Sequence, residues 1–379
     1  MKRKPLNNKT ICPFPFEQVS YAMDGRIGPC TNCTVIENFT SLEEYWNSDS
    51  LQKLREDMFN GIRNPICKEC HEREDAGAWN FREYLVESNP DYEYNIEDPS
   101  VKTILFRFSN LCNFRCIDCV WNTSSSIYAE EMRRGNLEKQ NPIIYPGGDA
   151  SLALEEAKKH YKTFQNIGFS GGEPLLHWQM WDMLNFLIEN KRYPSLSYYT
   201  NGSKLEFKKQ KITDLWKQFK NVELHIGFDA IDDGCGYVRR NMKWEKTINN
   251  MKTILSECPH VKITITTTFM WLNTINAIRM LEWFNENFPN LKATINYVIH
   301  EHLDIRIAPK ELKQDMINNL QRLYSLNNTD NHMVDNLINY IQSKDLSHKW
   351  ESSLEWVKKE DEWNNDSFLM AFPELEKYL

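Results

Sequence analysis

The residues with the most chemical potential in this 379-residue chain are its ten cysteines, and their spacing is uneven. Cys12, Cys30, Cys33, Cys67 and Cys70 come first, Cys112, Cys116 and Cys119 form a tight second group, and Cys235 and Cys258 stand alone. In a reducing compartment such clusters serve as metal ligands or catalysts more often than as disulfides. They point to one metal site near the N-terminus and a second near residue 115. The spacing Cys112-x3-Cys116-x2-Cys119 lets one loop wrap three thiolates around an inorganic cluster. A structural zinc would want a fourth ligand, and no nearby histidine supplies it. On a [4Fe–4S] cluster, three cysteines leave one iron without a protein ligand, open to a substrate or cofactor.

Those thiols need elements to position them. Between about residues 100 and 300, short β-rich runs alternate with longer apolar-periodic segments. The pattern predicts strands over 101–108, 166–170, 196–200, 222–228, 261–268 and 292–298, and helices over 178–187, 215–219, 244–255 and 275–284. Six strands with intervening helices imply an α/β fold with a parallel sheet, open or curled into part of a barrel. The cysteine triplet then sits at the C-terminal end of the first strand, where α/β folds place their sites. Gly147-Gly148 and the polar stretch 138–142 read as an excursion between the first and second units. Upstream, Asn89-Pro90-Asp91 and Glu97-Asp98-Pro99 punctuate a polar linker, which marks a domain boundary. Before that linker, Ser41-Leu42-Glu43-Glu44 carries a capping-box pattern and 51–59 continues helical. Beyond about 309 the pattern is helical to the end, with Pro309 as a first-turn residue. The expected division is 1–98, 99–308 and 309–379, the last acting as a packing cap.

Composition excludes several classes. Lys+Arg 45 against Asp+Glu 53 gives a net charge of -8, which argues against a surface that grips nucleic acid throughout. No apolar stretch reaches the ~18–20 residues needed to span a bilayer. Met1-Lys2-Arg3-Lys4-Pro5 is basic but has no apolar region behind it, so it does not read as a signal peptide. A cytoplasmic protein is expected.

The triplet resembles the signature of the radical S-adenosylmethionine (SAM) enzymes. That resemblance implies a partial (β/α)6 TIM-like barrel, with the open iron chelated by the amino and carboxylate groups of SAM. It further implies reductive cleavage of SAM to methionine and a 5′-deoxyadenosyl radical that abstracts a substrate hydrogen. One residue departs from the family pattern: Asp118 stands where an aromatic side chain usually precedes the third cysteine. Later motifs resemble the family's SAM contacts at successive strand ends. In Ser170-Gly171-Gly172-Glu173-Pro174, two glycines let the backbone approach a ligand and Glu173 can accept from an ammonium. Thr200-Asn201-Gly202 resembles the ribose-side turn. Asp229 ends the fourth strand, and in Tyr237-Val238-Arg239-Arg240-x3-Trp244 the alignment on Trp244 implies that Arg239 pairs with the SAM carboxylate.

The N-terminal cysteines admit two readings. Two C-x2-C pairs are the usual currency of zinc, although the gap between Cys33 and Cys67 is longer than a compact ribbon prefers. Alternatively, Cys12 followed by Gly25-x4-Cys30 resembles the SPASM/twitch domains that carry an auxiliary [4Fe–4S] cluster. Gly61, Cys67-x2-Cys70, Glu74, Gly77 and Arg82 resemble the rest of such a domain, placed before the barrel. The resemblance implies Cys12, Cys30, Cys67 and Cys70 as ligands, with spacing leaving open whether Cys30 or Cys33 serves. Cys235, between Asp229 and Arg239, is expected in a loop at the site's mouth, either as a hydrogen donor to a substrate radical or as an ordinary thiol.

Three functions follow. The first is hydrogen abstraction from a peptide or peptide-like substrate, with the auxiliary cluster assisting electron transfer or substrate binding. The second is oxidation of a small molecule such as an aminosugar or nucleoside. The third, of another class, is a non-catalytic iron–sulfur or zinc scaffold. Either catalytic reading implies a reductant such as flavodoxin or ferredoxin as partner.

Overall fold

Branched and aromatic residues at alternating positions favour a pleated, half-buried surface, and the strands form where that alternation is strongest. In the computed structural model, residues 9–22, 26–31, 33, 39, 41–75, 80–88, 92–94, 96–97, 99–145 and 148–379 are described. Asp24, Gly25, Gly77, Asn89, Pro90, Asp91, Asp98 and Gly147, all named above, lie outside them. The strands are β1 (Gln18–Tyr21), β2 (Ile27–Gly28), β3 (Thr103–Arg107), β4 (Arg115–Cys116), β5 (Asn166–Ser170) and β6 (Ser195–Thr200). They continue with the small hairpin β7 (Glu206–Phe207) and β8 (Gln210–Lys211), then β9 (Val222–Gly227), β10 (Arg239–Arg240), β11 (Lys262–Phe269) and β12 (Lys292–Tyr297). All six predicted strands are present, and the chain is an α/β protein whose main strands pair in parallel.

The chain divides into two compact units. One comprises Met1–Cys112, Trp121–Tyr199 and Lys204–Val222, and the other Asn113–Val120, Thr200–Ser203 and Glu223–Leu379.

In the first unit, β1 pairs antiparallel with β2 and parallel with β3, which continues in parallel to β5 and then β6. Phe106 registers with Phe169, and Phe169 with Tyr198. Their rings stack, Phe106 on Phe169 at 6.0 Å and Phe169 on Tyr198 at 5.0 Å, so one sheet face is an aromatic ladder. Helix Trp178–Glu189 buries its apolar side there, with the Tyr198 hydroxyl 3.9 Å from the Met180 sulfur. Because the side-chain period of a strand is two, Thr103, Leu105 and Arg107 point to the opposite face. The strand β1 lay outside the predicted set; its four residues are too short a run for alternation to register.

In the second unit, β9, β11 and β12 pair in parallel, with Thr264 opposite both His225 and Lys292. Helices Trp244–Glu257 and Thr274–Asn287 pack their apolar stripes into a core that includes Leu224, Ile226, Ile265, Leu281 and Phe284. The helical tail follows as Lys310–Leu320, Asn331–Ser343, Trp350–Asn364 and Phe368–Ala371. Pro309 stands one residue before the first of these helices, as its cap, and not at its first turn. The tail is more than a cover. Tyr237 donates to Asp361 at 2.7 Å, Arg240 pairs with Glu360 at 3.4 Å, and Arg115 donates to Asn364 at 3.1 Å. It therefore braces β4 and β10, which pair antiparallel with Cys116 opposite Arg239.

Candidate functional site

β3 ends at Arg107, and the chain then runs through Ser109-Asn110-Leu111 to Cys112. Asn110 is wholly buried, and its amide bridges the Pro142 carbonyl at 3.0 Å and the Ile144 N–H at 2.8 Å. Two serines hold the first cysteine: Ser125 Oγ accepts from the Cys112 N–H at 3.1 Å, and Ser126 Oγ donates to its carbonyl at 2.6 Å. The glycine turn after β5 closes on the same segment. Gly171 has φ +106°, and a Cβ on Gly172 would stand 2.3 Å from the Leu111 carbonyl oxygen. Only glycine permits this approach. The Glu173 N–H then donates to Leu111 at 2.7 Å, and its buried carboxylate accepts from the Leu175 N–H at 3.0 Å, capping the short turn Pro174–Leu176.

His177, which sequence reasoning did not select, completes this seat. Its Nε2 lies 3.1 Å from the Leu111 carbonyl, an acceptor, so Nε2 carries the hydrogen and donates. Burial pushes its pKa down from 6.5 to about 4, against the opposing pull of the Leu111 carbonyl. Between those two values the unfolded chain binds a proton that the folded one excludes, so stability rises with pH there. The contribution, about 3 kcal/mol, is whole above pH 6.5 and lost as pH falls toward 4. Urea midpoints measured from pH 7 to 4 should show this slope in the wild type and a flatter one in His177→Gln.

The second unit holds the rest of the triplet. Asn113 links the cluster loop to the predicted polar turn: Asn201 Nδ2 donates to Asn113 Oδ1 at 3.0 Å, and Asn113 Nδ2 donates to Ser203 Oγ at 2.9 Å. Asn201 Oδ1 accepts from the Ser203 N–H at 3.0 Å, so its amide is spent on positioning the loop. Asp229 is buried and accepts from Arg239 Nη1 at 2.7 Å through one oxygen and from the Thr268 N–H at 2.7 Å through the other. Asn273, also missed from sequence, is wholly buried and donates to the Asp229 carbonyl at 2.7 Å. The Arg239 guanidinium occupies the space a side chain on Gly227 would fill, since a Cβ there would stand 2.5 Å from Nη1. Burial opposes the charge of Arg239, yet Cys116, Asp229 and Asp118 hold its pKa well above the usual value. Burial and the Asp229 carboxylate push the Asp118 carboxyl up to about 6. Asp118, the departure from the family pattern, thus belongs to the acidic surroundings of Arg239.

The five N-terminal cysteines line one cavity of about 280 Å³ in the first unit. Cys67 ends the turn Pro65–Cys67, which Asn64 caps through the Ile66 N–H at 3.0 Å, and Cys70 sits on helix Lys68–Asp75. Glu74 on that helix and Arg82 form a buried ion pair, and Arg82 Nη1 donates to the Ile11 carbonyl at 3.2 Å, beside Cys12. Burial pushes the Cys12 thiol up to about 12 and raises Cys67 and Cys70 as well. Cys33 differs. A hydrogen bond with Cys30 lowers it to about 7, with burial opposing and the charge of Arg107 helping. All ten cysteines are unbridged. Soft thiolates gathered around one space suit iron–sulfur or zinc chemistry, and binding metal would displace the protons that burial retains. The donor set therefore fits the group the sequence implied.

Cys235 requires a correction. It lies on the short helix Asp233–Val238, not in an open loop, and is wholly buried with its sulfur 3.2 Å from that of Met242. Burial pushes its thiol up to about 12. Its helix packs against the tail, where Tyr237 meets Phe372 edge-on at 5.7 Å. No helix among the described residues is long and apolar enough to cross a membrane.

Comparison with known proteins agrees with these two thiol groups. Residues 106–284 match the model of the radical SAM superfamily, and residues 12–71 match that of SPASM, an iron–sulfur cluster-binding domain. Residues 106–284 thus read as a radical SAM segment, characteristic of a class of enzymes, with a SPASM-type iron–sulfur domain ahead of it. Those two families imply a [4Fe–4S] cluster with SAM and an auxiliary iron–sulfur cluster. The chain is 24% identical over 54% of its length to the S-adenosylmethionine-dependent nucleotide dehydratase RSAD2 of Siniperca chuatsi, covering 52% of that protein. It is 23% identical over 49% of its length to the GTP 3′,8-cyclase of Staphylococcus haemolyticus, covering 51%. It spans about half the length of the curated relatives it matches. Among solved structures, anSMEcpe with bound AdoMet is 14% identical at a TM-score of 0.41 over 59% of each chain. Streptococcus suis SuiB bound to its precursor peptide SuiA is 13% identical at a TM-score of 0.39, over 78% of this chain and 55% of that one.

Proposed function

We propose that this chain reductively cleaves SAM and abstracts a hydrogen atom from a peptide or peptide-like substrate, with the auxiliary cluster assisting electron transfer or substrate binding. The observation that carries this reading is the coincidence of Cys112-x3-Cys116-x2-Cys119 with the matched superfamily segment, at the end of β3. When bound, the reduced cluster and SAM supply the 5′-deoxyadenosyl radical. The chain's own residues bind and orient. Cys112, Cys116 and Cys119 would hold the first cluster, and Cys12, Cys30, Cys67 and Cys70 the second. Glu173, backed by the glycine turn, accepts from the SAM ammonium; Asn201 fixes the ribose-side turn; Arg239, set by Asp229, pairs with the carboxylate. A flavodoxin or ferredoxin would deliver the electron.

A second reading keeps the chemistry but replaces the peptide with a small molecule such as an aminosugar or nucleoside. It is favoured by the names of both curated relatives, each of which acts on a nucleotide.

Anaerobically reconstituted protein should carry about eight irons per chain. With dithionite and SAM it should release 5′-deoxyadenosine, and Cys116→Ala should not. Release at the wild-type rate by Cys116→Ala would sink the assignment.

A further inference from the structure

Arg107 sits on the face of β3 opposite the aromatic ladder, and two cavities share it. The first is the 280 Å³ space ringed by the N-terminal cysteines; the second, of about 220 Å³, adjoins Cys30 and Cys33. The second cavity is a donor-rich chamber. Arg26 and Arg107 line it together with the hydroxyls of Ser20, Thr31 and Thr123 and the amide of Asn122, and no carboxylate does so among the described residues. Cys30, Cys33 and Arg107 line both cavities, whereas Arg26 lines only the second. Its backbone is anchored where the Ala22 N–H donates to its carbonyl at 2.8 Å, next to the pairing of Ser20 with Gly28. Two guanidinium groups entering from separate elements, supplemented by hydroxyl donors, match an anion with several oxygens better than one with two.

We propose that this cavity is a subsite for a phosphoryl group, held by Arg26 and Arg107 beside the auxiliary-cluster thiols. It deepens the second, small-molecule reading by specifying that the substrate carries a phosphate ester, and it rests on that reading for the placement of the substrate.

The experiment uses the anaerobically reconstituted holoenzyme and titration calorimetry. Inorganic phosphate, pyrophosphate, ribose 5-phosphate and acetate are the probes. Phosphate and pyrophosphate should bind saturably and acetate should not. Arg26→Gln should weaken pyrophosphate by about tenfold or more, as loss of a charge-assisted hydrogen bond predicts. Arg26→Lys should retain part of the affinity, and Arg279→Gln, the same charge loss in the other unit, should leave it within twofold. Tighter binding of ribose 5-phosphate than of free phosphate supports an ester-bearing substrate, and equal binding would overturn that assignment. Absence of saturable binding, acetate binding as well as phosphate, or unchanged affinity in both Arg26→Gln and Arg107→Gln would overturn it. Iron content and 5′-deoxyadenosine release, measured on the same sample, report separately on the radical SAM reading.

Discussion

Gly172→Ala is expected to destabilise the protein by about 3 kcal/mol or more and to suppress 5′-deoxyadenosine release. A Cβ at this position would meet Leu111 O at 2.3 Å, Leu111 C at 2.6 Å and Asn110 C at 2.7 Å. These are backbone atoms, so no rotamer change relieves the clash. They are also the two residues just before Cys112, and Asn110 is tied down by its bonds to Pro142 and Ile144. Relief must therefore come from lifting the turn off the segment. That would stretch the Glu173 N–H bond to Leu111 and separate the glycine turn from the cluster loop. Gly135 provides the control: it has φ +82° with nothing within 4 Å of a built Cβ, so Gly135→Ala carries only the left-handed backbone penalty of about 1–2 kcal/mol. Urea denaturation of both variants separates the effects. Equal midpoints for the two would mean that the close approach contributes nothing.

Asp229→Ala should cost about 3–5 kcal/mol, because it leaves a buried guanidinium without its main partner. Of the groups that support its charge, Arg239 would retain Cys116 and Asp118, neither of which replaces the direct Asp229 hydrogen bond. Removing Asp229 should also free the Thr268 N–H that it accepts at 2.7 Å. Asp229→Asn separates the two losses, since an amide oxygen still accepts from Thr268 but carries no charge. We expect Asn to fall between wild type and Ala in stability, and both variants to bind SAM more weakly, as measured by equilibrium dialysis on reconstituted protein. An Asn variant as stable as wild type would show that the hydrogen bond to Thr268, and not the charge, is what Asp229 contributes.

The parts of this site that were legible in the sequence are those encoded by local spacing. Three cysteines within eight residues and a Gly-Gly-Glu after a strand each involve a single loop, where separation along the chain translates directly into separation in space. The six alternating runs were legible for the same reason, because a period of two is a local property. His177 was not. It reaches Leu111 across 66 positions, and a lone histidine after a turn has no pattern to betray it. Asn113 and Asn273 escaped likewise, being single amides whose partners lie 88 and 44 residues away. A signal existed for Asp118, since it broke the family's aromatic position, but its neighbour Arg239 had to be seen to explain it.

Cys235 shows the limit from the other side. Its place between Asp229 and Arg239 suggested a loop thiol open to substrate, because helices of six residues containing two glycines carry almost no propensity signal. Packing against Met242 and the tail turned that segment inward.

The sequence by itself determined the chemistry on offer: two groups of soft thiolates, a backbone able to approach closely, and an arginine downstream of an acid. Tertiary structure alone decided which residues hold those groups in place. The tail reaches back 120 positions from Glu360 to Arg240, and Arg26 from the N-terminal segment and Arg107 at the end of β3 line one cavity. Such pairings depend on how strands register and helices pack, and neither is written in the spacing of any one stretch of chain.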